Sequence, residues 1–223
     1  MTPQHQTLLA NIQAELGAAA NPNLTTSSDA SDLYEAYLFT LVLAAARAEG
    51  GTIGYRDVFG AVPTTFTFRT SPGDIHSRRR PYCFGVINFT NKPQLEIHMS
   101  VHVQGVSQVV HECDVAVLRA DEAATCRLHK VHPRSSQVVL ALECKFYTGS
   151  IPFDEARGYI GLVADLQRGV RFFVVNTQSD HAEKYLQRHS MRWEHQVYPT
   201  ANREVERLRN AFQTAFRDYK TAN

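Results

Sequence analysis

The chain has 223 residues, of which 43% are hydrophobic, and its 23 basic side chains almost balance its 22 acidic ones. This composition is ordinary for a globular protein and excludes a disordered, collagenous or coiled-coil chain. The formal net charge of +1 excludes a protein that coats nucleic acid through overall charge, but it allows a locally basic surface. The longest apolar run is too short to span a bilayer and no secretory signal is visible, so we expect a cytoplasmic protein without a membrane partner.

The N-terminal part of the sequence predicts two helices separated by a polar loop. Leucine and isoleucine recur at helical spacing within residues 1–20, and the loop covers residues 21–31. A strongly apolar helix then runs from about Asp32 to the glycine pair at 50–51. Up to about residue 90 we expect irregular structure with two short strands, at 64–69 and 82–89.

The remainder predicts strands and helices that together form one α/β domain with a mixed central β-sheet flanked by helices. Residues 95–103 are apolar at odd positions, which is typical of a half-buried strand. A turn at Gln104-Gly105 leads into a second strand, so we expect a hairpin. The further elements are the second strand at 106–118, a polar connection at 119–136, a strand at 137–147, a helix at 154–168, a buried strand at 170–176, a helix at 181–189, a strand at 192–198 and a helix at 201–220.

Charged side chains interrupt two of the predicted strands, where burial makes them costly. Asp114 lies on the second strand, and Glu143 and Lys145 face the same side of the third because they are two residues apart. If these strands pair, two carboxylates and an ammonium group converge. Carboxylate oxygens suit Mg²⁺ or Mn²⁺, and a lysine beside them can orient an attacking water. The plain alternative is an ion-pair cluster at the sheet edge.

Cys113-Asp114, followed after a strand connection by Glu143-Cys144-Lys145, resembles the motifs of the PD-(D/E)xK, or restriction-endonuclease-like, nuclease superfamily. The order of predicted elements also matches, over a core of about residues 32–176. The resemblance implies a single nuclease domain over residues 1–223, with N-terminal helical and β elaborations and with the helices at 1–20 and 201–220 outside the core. Cys113 stands where the family has proline.

The family resemblance further implies divalent-metal-dependent hydrolysis of nucleic-acid phosphodiesters, with Mg²⁺ as the cofactor and Mn²⁺ as a substitute. It implies that Asp114 and Glu143 are metal ligands, that the backbone carbonyl of Cys144 completes the site, and that Lys145 assists the nucleophilic water. DNA is the favoured substrate, an endonuclease is favoured over an exonuclease, and restriction, defence or repair is the expected role. A homodimer is one expectation, because double-strand cutting often uses two active sites. The alternative is a catalytically retired nuclease fold that only binds nucleic acid.

Further candidates are less specific. Glu35 falls on the apolar stripe of its helix, where many family members carry another acidic ligand, but Asp32 and Glu35 also match a capping box. Glu155 stands where one branch of the family has glutamine, and Arg157 is either a phosphate contact or a solvated side chain. The run Arg78, Arg79 and Arg80 either tracks a nucleic-acid backbone or is a flexible charged loop.

Histidines provide one more candidate metal site. His98 and His102 share a strand face, and His111 lies three residues before Asp114. Two imidazoles and a carboxylate form a known type of transition-metal site. However, His111 points away from Asp114 on an extended strand, so we expect these histidines to be ordinary polar-face residues.

Overall fold

The structure is a computed structural model that describes residues 3–18, 20–167 and 169–223, and for Pro3 the backbone only. The helices are α1 Pro3–Leu16, α2 Ala30–Ala48, α3 Ala120–His129, α4 Phe153–Leu166, α5 Asp180–Arg188 and α6 Asn202–Ala222, with a 3-10 turn at Ser135–Gln137. The strands are β1 Asn21–Pro22, β2 Thr52–Asp57, β3 Thr65–Phe66, β4 Cys83–Asn88, β5 Leu95–Gln104, β6 Val110–Arg119, β7 Val138–Lys145, β8 Val170–Val175 and β9 Trp193–Glu194.

Seven strands form one mixed sheet in the order β2-β4-β5-β6-β7-β8-β9. The pairs from β2 to β7 are antiparallel, whereas β8 and β9 join in parallel orientation. A parallel connection needs a crossover, and α4 provides it between β7 and β8. The strands β1 and β3 form a separate two-stranded parallel sheet. The expected α/β class with a mixed central sheet and flanking helices is confirmed.

Helices cover both faces of the sheet. On one face α2 lies against the strands, and α1 and α6 pack beside it in the largest apolar cluster. On the other face α3, α4 and α5 close two smaller clusters. β8 is covered on both sides, as expected, because Phe172 and Val174 face one layer and Phe173 and Val175 face the other. None of the described helices is both long enough and apolar enough to cross a membrane.

Most predicted elements are present, but several predictions were wrong. The polar connection at 119–136 contains α3, and the region expected to be irregular contains β2 at the edge of the sheet. The loop at 21–31 holds β1, and the strand expected at 192–198 is only the two-residue β9. The predicted helices at 1–20 and 154–168 correspond to α1 and α4, while residues 1, 2, 19 and 168 lie outside the described residues.

The alternation predicted for β5 holds only for part of the strand. Leu95, Ile97 and Met99 pack under α2, but Val101 and Val103 belong to the apolar cluster on the opposite face. The change of face occurs at Ser100, which has a φ of +49°, in the left-handed region that non-glycine residues rarely adopt. Strain of this kind persists only where the surrounding structure enforces it, and it is frequent at functional sites.

A buried ion cluster stabilises the sheet face beneath α3. Glu96 is 5% exposed and accepts hydrogen bonds from both terminal nitrogens of Arg127, at 2.9 and 2.6 Å. The imidazole of His98, fully buried and stacked on Phe84, lies 2.9 Å from the same carboxylate. Burial raises the pKa of Glu96, but the bonds from His98 and Arg127 outweigh it and leave the pKa below its ordinary value.

Breaking this cluster is expected to destabilise the fold strongly. Arg127→Met removes the guanidinium and leaves the Glu96 carboxylate buried with one partner, so the free energy of unfolding should fall by about 3 kcal/mol. Urea denaturation measures the loss. The matched control is Arg157→Ala, which breaks the exposed pair with Asp154 and should cost less than about 1 kcal/mol. Equal losses in both variants would contradict the importance assigned to the buried cluster.

Candidate active site

The candidate site lies where β6 and β7 separate. Their antiparallel pairing ends at Val115–Leu142, one position before Asp114 and Glu143 would face each other. The Asp114 carboxylate enters the gap, where its Oδ2 accepts the backbone N–H of Cys144 at 2.6 Å. A side chain of β6 therefore replaces the backbone acceptor that a continued ladder would provide, and the strands open beside a buried carboxylate.

Glu143 and Lys145 lie on the β7 side of this opening and are partly exposed. Lys145 Nζ is 2.7 Å from Glu143 Oε1 and 4.0 Å from Glu155 Oε2, on the first turn of α4. Tyr147 donates its hydroxyl proton to Glu155 at 2.6 Å and so fixes that carboxylate. The side chains at this end of β7 thus form one acidic patch around a single ammonium group.

Glu35 reaches the same region from α2. Its Oε2 accepts a hydrogen bond from the Ser100 hydroxyl at 3.3 Å, so the strained turn of β5 is in direct contact with this carboxylate. The capping-box alternative was wrong: α2 begins at Ala30 with Asp29 as its N-cap, which places Glu35 beyond the position that a capping glutamate occupies. Glu35 is instead a half-buried acid on the helix face that packs against the sheet.

The carboxylates of the site repel one another in a poorly solvated setting. Burial and the nearby charge of Asp114 raise the pKa of Glu35 to about 9. Burial and Glu143 raise the pKa of Asp114 to about 8, although Lys145 and the Cys144 N–H oppose the shift. Burial lowers the pKa of Lys145, but Glu143 and Asp114 outweigh it, so the ammonium group stays charged. One lysine is too little positive charge for this set of acids.

The donor set fits a hard divalent cation. Carboxylate oxygens and a backbone carbonyl are the ligands that Mg²⁺ takes, and added positive charge would relieve the repulsion between Asp114 and Glu35. In the arrangement described, Glu143 is engaged with Lys145, and Asp114 with the Cys144 N–H. Within the described ranges, the carboxylates of Glu35, Asp114 and Glu143 do not lie within 4.8 Å of one another as a set of three.

Glu112 is an acidic neighbour that the sequence placed on the same strand face as Asp114. It pairs across the sheet with His102 and lies near Glu143, and burial together with Glu143 raises the pKa of its carboxyl group. Because Glu112 is two residues from Asp114 on a strand, the sequence already indicated that it lies near the acidic site. Nothing local in the sequence indicated the contact of Ser100 with Glu35, because a positive φ within an alternating strand leaves no pattern.

The predicted nucleic-acid contacts lie on the surface. Arg157 forms an exposed ion pair with Asp154 and lies over the Phe153 ring. No contact among the described residues joins it to Asp114, Glu143 or Glu35. Arg78, Arg79 and Arg80 are exposed in the loop before β4. Arg78 also lines a cavity of about 320 Å³ together with Arg127 and Lys130, so this part of the loop adjoins a basic recess.

The histidines do not form the site considered from the sequence. His98 is buried against Glu96, and His111 lies 2.6 Å from Asp165, so the two belong to separate contacts. His102 instead lies near Asp74 and His132, and the ligand atoms of these three residues are within 4.8 Å of one another. Asp74 and His132 were missed because they come from loops about 30 residues before and after His102, and no local spacing connects them.

No protein-family model, curated protein or solved structure matches this chain. The nuclease resemblance therefore depends on the motif residues and on the order of the elements, and it stays a prediction.

The raised carboxyl pKa values predict how stability depends on pH in the presence of EDTA. Between the ordinary pKa of Glu35, 4.5, and its folded value of about 9, the unfolded chain loses a proton that the folded chain keeps. The free energy of unfolding should therefore fall as pH rises through this window. Glu35→Gln removes the titrating group and should reduce the slope in urea denaturation series.

Glu183→Gln on α5 is the control, because it changes the same functional group outside the acidic site. It should leave the slope unchanged. A Glu35→Gln slope as steep as that of the wild type would contradict the proton uptake assigned to this side chain.

Proposed function

We propose that the chain is a divalent-metal-dependent nuclease that hydrolyses phosphodiester bonds of nucleic acid, with DNA as the favoured substrate and an endonuclease as the favoured type. The observation that carries the proposal is the convergence of Asp114, Glu143 and Lys145 where β6 and β7 separate, with Glu35 arriving from α2. These residues come from three elements, and burying their charge in a core is costly without a task.

Each acidic residue has a role that follows from its position. Asp114 and Glu143 would hold the cation from the two sides of the opening, with Glu35 as a further acidic ligand and the carbonyl of Cys144 next to them. A bound Mg²⁺ or Mn²⁺ supplies positive charge that offsets the negative charge developing on the phosphate. The bond from Asp114 to the Cys144 N–H fixes one carboxylate oxygen and so orients the other.

Lys145 is the group suited to the reaction itself. Hydrolysis joins a water oxygen to phosphorus and breaks the bond from phosphorus to the leaving sugar oxygen. The charged, partly exposed ammonium group of Lys145 is suited to orient that water and to neutralise the phosphate oxygens in the transition state. The ion pair with Glu143 keeps Lys145 at the opening.

The substrate surface would include the exposed arginine loop. Arg78, Arg79 and Arg80 are accessible, and the recess lined by Arg78 and Lys130 offers a place for a phosphate group, beside an Arg127 guanidinium that Glu96 holds. Arg157 is a further candidate for a phosphate contact, since its guanidinium is exposed at the first turns of α4, the helix that also carries Glu155.

Purified protein should cut circular plasmid DNA in Mg²⁺ or Mn²⁺, and EDTA should abolish the cleavage. Asp114→Ala and Lys145→Ala should each reduce the rate by about 100-fold or more, because the first removes a carboxylate that would hold the cation and the second removes the ammonium group that would act on the phosphate. Agarose-gel assays with circular, linear and single-stranded substrates measure the rate and distinguish endonuclease from exonuclease action. Circular dichroism should show that both variants are folded.

The control for this experiment is Asp180→Asn, at the exposed start of α5, which should cleave at the wild-type rate. Wild-type cleavage by Asp114→Ala or Lys145→Ala would overturn the mechanism. Retention of DNA binding by a wild-type protein that never cleaves, whatever the metal, would favour the retired binding module instead.

Binding of DNA should depend on salt through the arginine loop. Each neutralised phosphate contributes about −0.9 to the slope of log affinity against log salt, so replacing Arg78, Arg79 and Arg80 together by alanine should reduce the slope by up to about 2.7. Fluorescence anisotropy in Ca²⁺, over a range of salt concentrations, measures this slope.

The matched control replaces Arg203, Arg209 and Arg217 of α6 by alanine, which removes the same net charge from another surface. Its slope should stay close to that of the wild type. If the two triple variants have equal slopes, the arginine loop is not part of the DNA-binding surface.

A further inference from the structure

Three side chains from separate segments lie close together beside the C-terminal end of β5. Asp74 comes from the loop between β3 and β4, His102 from β5, and His132 from the loop after α3. Asp74 Oδ1 is 2.8 Å from His102 Nδ1 and 3.5 Å from His132 Nδ1. In tetrahedral zinc sites with bonds of about 2.0–2.1 Å, ligand atoms are roughly 3.3 Å apart, so this spacing is close to that of a ligand set.

Backbone hydrogen bonds hold the three segments in place. Gly73 donates to the carbonyl of Ser100 and accepts from the N–H of His102, each at 3.1 Å, which fixes Asp74 next to β5. The N–H of Gln104 donates to the carbonyl of Pro133 at 2.8 Å and fixes His132 in the same way. Arg69, buried over the Tyr82 ring, donates to the carbonyls of Gly73 and Asp74. The surrounding hydrogen bonds therefore fix the positions of Asp74 and His132 relative to β5.

One possible metal-ligand atom in the cluster, His132 Nδ1, takes part in no hydrogen bond. His132 Nδ1 is buried and has no hydrogen-bond partner, although the edge of its ring faces Asp74. His76 Nδ1 is also buried without a partner, and its Nε2 lies 3.7 Å from Asp74 Oδ2. A buried nitrogen without a partner is uncommon in folded proteins, and a cation at the centre of these side chains would satisfy it.

We propose that Asp74, His102 and His132 bind one Zn²⁺ ion, with His76 as the nearest candidate for the fourth position. Two imidazoles and a carboxylate suit zinc, whereas Mg²⁺ takes oxygen ligands. This site is separate from the carboxylates at the β6–β7 opening. Since Asp74 lies in the same loop as Arg78, Arg79 and Arg80, bound zinc holds the base of the arginine loop against the sheet.

The test is calorimetric titration of chelator-treated full-length protein with Zn²⁺ in the presence of millimolar Mg²⁺. The wild type should bind one Zn²⁺, and Co²⁺ in its place should give the intense visible absorption of a tetrahedral nitrogen and oxygen site. His102→Ala and His132→Ala should each weaken Zn²⁺ binding by about 100-fold or more. His132 lies on a loop, whereas His102 lies within β5. The His132→Ala variant therefore still tests the site if His102→Ala fails to fold.

Two controls separate this site from other binding. His129→Ala removes an exposed imidazole three residues from His132 and should bind zinc like the wild type. Asp114→Asn should also keep Zn²⁺ binding, because it changes only the acidic opening.

The proposal is overturned if the wild type binds no Zn²⁺ above the Mg²⁺ background, or if His129→Ala weakens binding as much as His132→Ala. Loss of zinc in Asp114→Asn, with His132→Ala unaffected, would likewise overturn it by placing the ion at the carboxylates. None of these outcomes depends on cleavage of DNA, so the zinc site and the nuclease activity fail or succeed independently.

Discussion

The bond between the Asp114 carboxylate and the Cys144 N–H is the constraint on which the candidate site depends. It lies where the antiparallel pairing of β6 and β7 stops, and β7 continues from there with β8 as its parallel neighbour. The carboxylate satisfies a buried N–H that would otherwise lose its partner, so the strands can separate without leaving an unpaired donor. The opening then admits Glu143 and Lys145 on one side and Glu35 on the other.

The acids packed against the sheet have two different kinds of electrostatic surroundings. Glu96 has Arg127 and His98 as partners, and its pKa lies below the ordinary value despite burial. Asp114 and Glu35 have like charges as neighbours, and their pKa values are raised far above the ordinary range. The first arrangement stabilises the folded chain by itself, whereas the second needs protons or an external cation. Under the proposed function, a bound cation would supply the positive charge that the surroundings of Asp114 and Glu35 lack.

The arrangement of β5 connects the acidic opening with the histidine cluster. Ser100, in its left-handed conformation, contacts Glu35, and two residues later His102 contacts Asp74. Gly73 bonds to the backbone of both Ser100 and His102. The loop that carries the arginines is therefore attached to the strand that supports the acidic site. A cation bound at Asp74 would strengthen that attachment without taking part in the chemistry proposed at Asp114.

The sequence by itself determined the α/β class, the long apolar α2, the β5–β6 hairpin and the facing of Glu143 and Lys145, because periodicity and spacing act over a few residues. It missed α3 and β2, whose short and mostly polar segments become regular only by packing on the sheet. Only the tertiary structure decided that Glu35 is a half-buried acid near Asp114, and that Asp74 and His132 flank His102. The physical reason is the same in each case: these side chains are joined across long sequence separations by sheet pairing and backbone hydrogen bonds, which leave no local pattern.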